Sequence, residues 1–240
     1  MNRQAQAVVL LLLGGSVLKA SITDMYLRYV RAGLQPFLIA AGIVLVAAAV
    51  MTLVYDLRAG ATDGLDHDHG AGGKHREPRV GWLLILPVLG LLLVAPPALG
   101  SYAAGQAGTA LSSQTVSDYA PLPAGDPATI TMLDYASRAI FDGGRSLGDR
   151  RVEVSGFLSP GADGAPLLTR MILTCCAADG RPIKLGMSGN VPSGLAADTW
   201  VQVVGKYSAQ VGADAVNGER IPYLEVETWT EIPSPKDPYE

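Results

Sequence analysis

Three long apolar runs occupy the first hundred residues, and short alternating runs separated by turns fill the rest. The windows 7–26, 34–55 and 81–99 each hold about 20 mostly apolar residues, the length a helix needs to cross a bilayer. The pattern therefore predicts three membrane spans within residues 1–100. The middle window is free of charge and carries small residues at Ala40, Ala41, Gly42 and Ala47–Ala49. Small side chains let helix backbones approach closely in lipid. The third window ends at Pro96–Pro97, where a helix cannot continue. The first follows Met1–Arg3 in the manner of a signal peptide, but it offers no convincing small-x-small cleavage site. It reads as a retained span, with Lys19 snorkelling to the interface and Asp24 beyond the lipid.

Beyond residue 100 the pattern changes. Residues 101–128 are rich in Ala, Gly, Ser and Pro without periodicity and read as a linker. In 130–142, Met132, Tyr135, Ala136, Ala139 and Ile140 recur at helical spacing, with Thr131 as cap and Gly143–Gly144 as stop. Five β-like runs follow at 151–158, 167–175, 182–187, 199–207 and 223–232, separated by Gly- and Pro-rich turns. The expected fold is a membrane α-helical N-terminal part with three spans, plus a small β-rich C-terminal domain. That domain, residues 129–235, is expected to be an OB-fold-like barrel with one helix, leaving 236–240 as a tail.

Charge sharpens the division. Residues 1–100 carry eight basic and six acidic side chains, a net +2, whereas 101–240 carry ten and sixteen, a net −6. An acidic barrel with few aromatic residues is a poor nucleic-acid binder. Basic residues in the short segments between spans number five on the N-terminal side (Arg3, Arg58, Lys74, Arg76, Arg79) and two on the other (Arg28, Arg31). The excess predicts the orientation of a multi-pass membrane protein. Its N-terminus and the 59–79 loop would be cytoplasmic, and its C-terminal domain extracytoplasmic.

Candidate chemistry sits in two places. The 59–79 loop contains every histidine of the chain, His67, His69 and His75, beside Asp63, Asp66 and Asp68. Imidazole and carboxylate suit zinc and its neighbours, whereas a Gly-rich solvated connector is the plainer reading. The two cysteines are adjacent, in Thr174-Cys175-Cys176-Ala177-Ala178-Asp179 at the end of the second β-like run. Alternation along a strand would send one thiol inward and the other outward. The pair admits three readings: packing residues, a strained vicinal disulfide, or metal or thiol chemistry with Asp179 as an extra ligand or turn-former. No Ser/His/Asp or Cys/His set can be assembled in this domain, so no enzymatic activity is expected.

Several stretches together carry a family resemblance: YLRYVRAGLQPFLIAAG, the His-rich loop, PPALGS, RMILTCCAADGRPIKLGM and DTWVQVVGKY. In these the chain resembles the YcgQ-like bacterial membrane proteins, subunits of a two-component permease complex. The resemblance spans nearly the whole chain and is most specific in RMILTCCAAD. It implies a larger multi-span permease as partner, beside the lipid bilayer, with this chain as an accessory subunit. The alternative function is zinc-like metal handling, through the His-rich loop on one side of the membrane and Cys175 and Cys176 on the other.

Overall fold

The computed structural model describes residues 3–62, 90, 97–111, 119–162 and 164–240. These fall into two compact units: Met1–Tyr26 with Ala32–Pro96, and Leu27–Arg31 with Pro97–Glu240.

In the first unit, α1 (Arg3–Ile22) packs antiparallel against α2 (Gln35–Thr62). Glycines set the approach. A Cβ on Gly14 would stand 2.9 Å from Val46 Cγ2, and one on Gly42 would stand 2.7 Å from Leu18 Cγ. Gln35 Nε2 donates to Ser21 O at 3.0 Å and ties the turn end of the pair. Among the described residues one helix, Ala32–Asp56, is long and apolar enough to cross a membrane. This corrects the expectation of three spans. The first run forms a shorter apolar helix, Gln6–Ile22, because the chain turns at Thr23–Asp24, with Asp24 in the left-handed region at φ 58°. Of the expected 81–99 span, only Gly90 and residues 97–99 lie among the described residues. His67, His69 and His75 lie outside them.

The second unit is built on a five-stranded closed barrel. Its strands are β2 (Val152–Pro160), β3 (Pro166–Ile172), β4 (Arg181–Gly189), β5 (Trp200–Ala213) and β6 (Arg220–Glu231), after a two-residue β1 (Ala128–Thr129) that runs parallel to β2. Round the barrel the order is β2-β3-β4-β6-β5, and β5 returns to β2. β4 and β6 are parallel, and the other pairs of the ring are antiparallel. Alternation places Val152, Val154, Leu168, Ile183, Leu185, Val201, Val203 and Leu224 in one core, all at 1% exposure or less. Buried apolar side chains stabilise by roughly 1.5–3 kcal/mol each, so these residues dominate the stability of the barrel.

Helix α4 (Met132–Phe141) packs on that core through Met132, Tyr135, Ala136, Ala139 and Ile140. Thr131 Oγ1 caps it, accepting from Asp134 N at 3.0 Å. Two further N-terminal amides, Met132 N and Leu133 N, donate to the Glu240 carboxylate at 3.1 Å. Gly143, at φ 62°, stops the helix in a conformation that disfavours any side chain. The segment expected to be a tail is thus part of the unit. Tyr239 bridges Met171, and Glu240 exchanges main-chain hydrogen bonds with Met171 and Leu173.

The start of the expected linker also packs on the barrel. Ser101–Gln106 form the short helix α3, with Ala104 fully buried, and Thr109–Leu111 lie along β4. One ion pair holds this wrap. Lys184 points away from the core residues Ile183 and Leu185, and its Nζ lies 2.9 Å from Asp214 Oδ2. Both side chains are nearly inaccessible, at 6% and 2%. Lys184 Nζ also donates to Ala107 O, and Asp214 accepts from Thr109 N and Val216 N. Burial alone would raise the Asp214 carboxyl. The Lys184 ammonium and the two amides outweigh it and hold the group below its usual range.

A buried charge left without its partner costs roughly 3–5 kcal/mol, whereas replacing both partners by apolar residues costs much less. Asp214→Asn should therefore lower the unfolding midpoint sharply, and Lys184→Met combined with Asp214→Leu should recover most of it. The pH dependence has a defined sign. A depressed carboxyl contributes stability above its unfolded value of about 3.9 and loses it as pH falls through the folded value. Thermal unfolding of the wild type should become easier below about pH 4, and Asp214→Asn should flatten that slope.

Candidate functional site

The adjacent cysteines are not on a strand. β3 ends at Ile172, and the chain bends through Thr174–Asp179 before β4 begins. The expectation of one thiol inside and one outside the barrel is corrected: Cys175 is exposed and Cys176 half-buried, both in a turn and both free. Asp179 causes the bend. Its Oδ1 accepts from Thr174 N at 2.8 Å, and its Oδ2 accepts from Cys175 N at 2.8 Å and Cys176 N at 3.2 Å. In return Asp179 N–H donates to the Cys176 side chain, which caps the 3-10 turn Ala177–Asp179. One carboxylate thus gathers three consecutive amides that no strand partner satisfies.

A second segment braces the turn. Val30 and Cys176 form an antiparallel bridge, flanked by Arg31 N donating to Cys175 O at 3.1 Å and Ala177 N donating to Tyr29 O at 2.7 Å. This arrangement is the non-hydrogen-bonded type of antiparallel pair, in which facing side chains stand closest. Just upstream, Tyr239 Oη donates to Arg28 O at 2.6 Å while accepting from Leu99 N at 2.9 Å. Gly180 closes the turn where a side chain would not fit. A Cβ there would stand 3.1 Å from Ala177 O and 3.2 Å from Leu173 Cδ2.

The two sulfurs are 3.6 Å apart, and the ligand atoms of Cys175, Cys176 and Asp179 all lie within 4.8 Å of one another. The sequence-derived set is therefore brought together in its barrel half. A disulfide between the two is disfavoured. A trans peptide holds adjacent Cα atoms about 3.8 Å apart, below the roughly 4.4–6.8 Å that disulfides span. The carboxylate also sets the thiol chemistry. Its hydrogen bond with Cys175, the nearby Cys176 and the negative charge push the Cys175 thiol up to about 12. The same hydrogen bond and the three amides pull the Asp179 carboxyl down to about 2. Cys175 is exposed yet protonated at neutral pH, the opposite of an activated nucleophile.

A groove of about 540 Å³ lies elsewhere on the barrel, between Pro160–Ala162 and Gly212–Val216. Leu167, Ile221 and Tyr223 line it, and the Lys184–Asp214 ion pair forms part of its wall. Sequence reasoning missed this groove and the ion pair beside it. Neither has a local signal, since Lys184 and Asp214 read as ordinary surface charges until the barrel closes.

Residues 139–240 match the family model of the DUF1980 C-terminal domain. The match covers the five barrel strands, the cysteine turn and the last turn of α4. No curated protein matches the chain. No solved structure matches it.

Alkylation with iodoacetamide tests the electrostatics of the turn. Cys175 should react more slowly at pH 7.5 than a free exposed cysteine, and its rate should climb steadily towards pH 10. Asp179→Asn removes the charge that stabilises the thiol and should accelerate the reaction at neutral pH. An unchanged rate would mean that the carboxylate does not govern the sulfur.

Proposed function

We propose that this chain is an accessory membrane subunit of a permease complex, anchored by α2 and presenting its barrel outside the cell as a binding module. The observation that carries this reading is the uncovered surface of the anchor. Only 11% of the spanning window in Ala32–Asp56 is buried, so most of an apolar helix is left for lipid or for the helices of a larger partner. The similarity of the sequence to subunits of a two-component permease supports the same reading.

The barrel supports a binding role. Its ring order, with β4 and β6, the third and fifth barrel strands in chain order, paired in parallel, favours the OB plan, which takes ligands on its second and third strands and the loops beside them. The 540 Å³ groove lies on that side. Its charged groups are already paired, and Pro160, Ala162, Leu167, Val216 and Ile221 make its rim apolar. Such a groove suits an extended peptide segment or an apolar solute better than a phosphate chain. Catalysis is no part of the proposal.

Two measurements test it. In mild detergent the tagged full chain should co-elute with a multi-span protein; elution as a monomer from native membranes opposes the accessory role. Sidedness needs a cysteine that reacts. Ser193 is exposed in the loop after β4, so Ser193→Cys in a Cys175→Ser/Cys176→Ser background should be labelled by a membrane-impermeant maleimide in intact cells. Labelling only after permeabilisation would place the barrel in the cytoplasm and overturn the topology.

A further inference from the structure

We propose that Cys175 and Cys176 form a two-thiolate chelate for a divalent cation of the zinc class, with Asp179 as the positioning residue that holds the turn in its chelating shape. The inference does not depend on the permease reading. It rests first on the bite of the pair. Two sulfurs each about 2.3 Å from a tetrahedral ion stand about 3.8 Å apart, whereas a linear two-sulfur ion needs about 4.6 Å. The observed 3.6 Å matches the tetrahedral edge and not the linear span. The geometry therefore favours Zn2+ over a two-coordinate soft monovalent ion.

Rigidity is the second support. The amides of Thr174, Cys175 and Cys176 are tied to one carboxylate, and main-chain bonds to Tyr29 and Arg31 fix the peptides on either side of Cys176. The entropy of ordering the chain has thus been met by folding, and binding need not supply it. Access is the third. Cys175 is exposed, so an ion can arrive and leave without opening the barrel. On binding, each thiol gives its proton to solvent and each sulfur forms one bond to the ion. Two tetrahedral positions remain for solvent or for a donor from another molecule, the arrangement of a site that passes an ion on.

The test uses the full chain in detergent with a phosphine reductant, titrated with Co2+ as the spectroscopic stand-in for Zn2+. The expected result is a sulfur-to-cobalt charge-transfer band with tetrahedral visible bands, bleached when Zn2+ is added. Cys175→Ser and Cys176→Ser should each abolish the charge-transfer band. The triple variant His67→Ala/His69→Ala/His75→Ala should keep it, which separates this site from the His-rich loop. Asp179→Glu, which keeps the negative charge but moves the carboxylate away from the three amides, should keep the band position while weakening affinity about 10–100-fold, as loss of an outer-shell partner does. An unweakened Asp179→Glu variant removes Asp179 from the proposal. Absence of the band in reduced wild type, or its persistence in the double cysteine variant, overturns the site. Should the serine variants fail to fold, protection of the wild-type thiols from alkylation by Zn2+ decides: protected thiols support the chelate, and unprotected thiols sink it. Failure of co-elution or of surface labelling bears on the permease reading alone.

Discussion

Closure of the barrel by β2 and β5 is the constraint on which the second unit depends. Six residues of β2, Val152 to Phe157, pair with Gly205 to Trp200. Without that pairing the sheet keeps two open edges, and its apolar face lacks an opposite wall. With it, Val152 and Val154 meet Val201 and Val203 across one interior. α4 then has a surface on which to bury Tyr135, whose hydroxyl donates to Tyr223 O at 2.6 Å.

The outside of the barrel is organised by carboxylates that collect main-chain amides. Asp214 does this for Thr109 and Val216, Glu240 for the first turn of α4, and Asp179 for the cysteine turn. Asp198 accepts from both the amide and the hydroxyl of Ser101 at the start of α3. Each gathers segments without regular pairing onto a rigid scaffold, since a carboxylate accepts several hydrogen bonds at once. The same device serves two ends. At Asp214 it closes a buried charge; at Asp179 it leaves two thiols side by side at the surface. The candidate site is therefore a product of scaffold rigidity, and its chemistry follows from one carboxylate beside two sulfurs.

Much of the barrel was legible in local pattern. Alternation at Val152/Val154, Val201/Val203 and Leu224/Val226 marks inward positions correctly, because a strand's two faces meet different surroundings. Thr131 and Gly143 announce the ends of α4 through backbone chemistry that needs no tertiary partner. The first two apolar runs of the N-terminal part were legible as helices, but their exact extents were not. The turn at Asp24 cuts the first short, and composition carries no such signal. Ser101–Leu111 misled for a related reason: small residues without periodicity read as a tether, although Ala104 and Thr109 are fully buried.

By itself, then, the sequence determined the division into an apolar and an acidic half, the number and inward faces of the strands, and the reactive atoms available at Cys175, Cys176 and Asp179. These follow from properties carried by single residues and by spacings of two to four. Tertiary structure alone decided that the cysteines occupy a turn, that residues 29–31 brace it, and that Tyr239 and Glu240 are bound in. Arg28 and Tyr239 are 211 positions apart, and Lys184 and Asp214 come from different strands and loops. No local periodicity encodes such pairings. They exist because a closed barrel fixes distant backbone groups in place, and buried donors and acceptors must then find partners among whatever lies near.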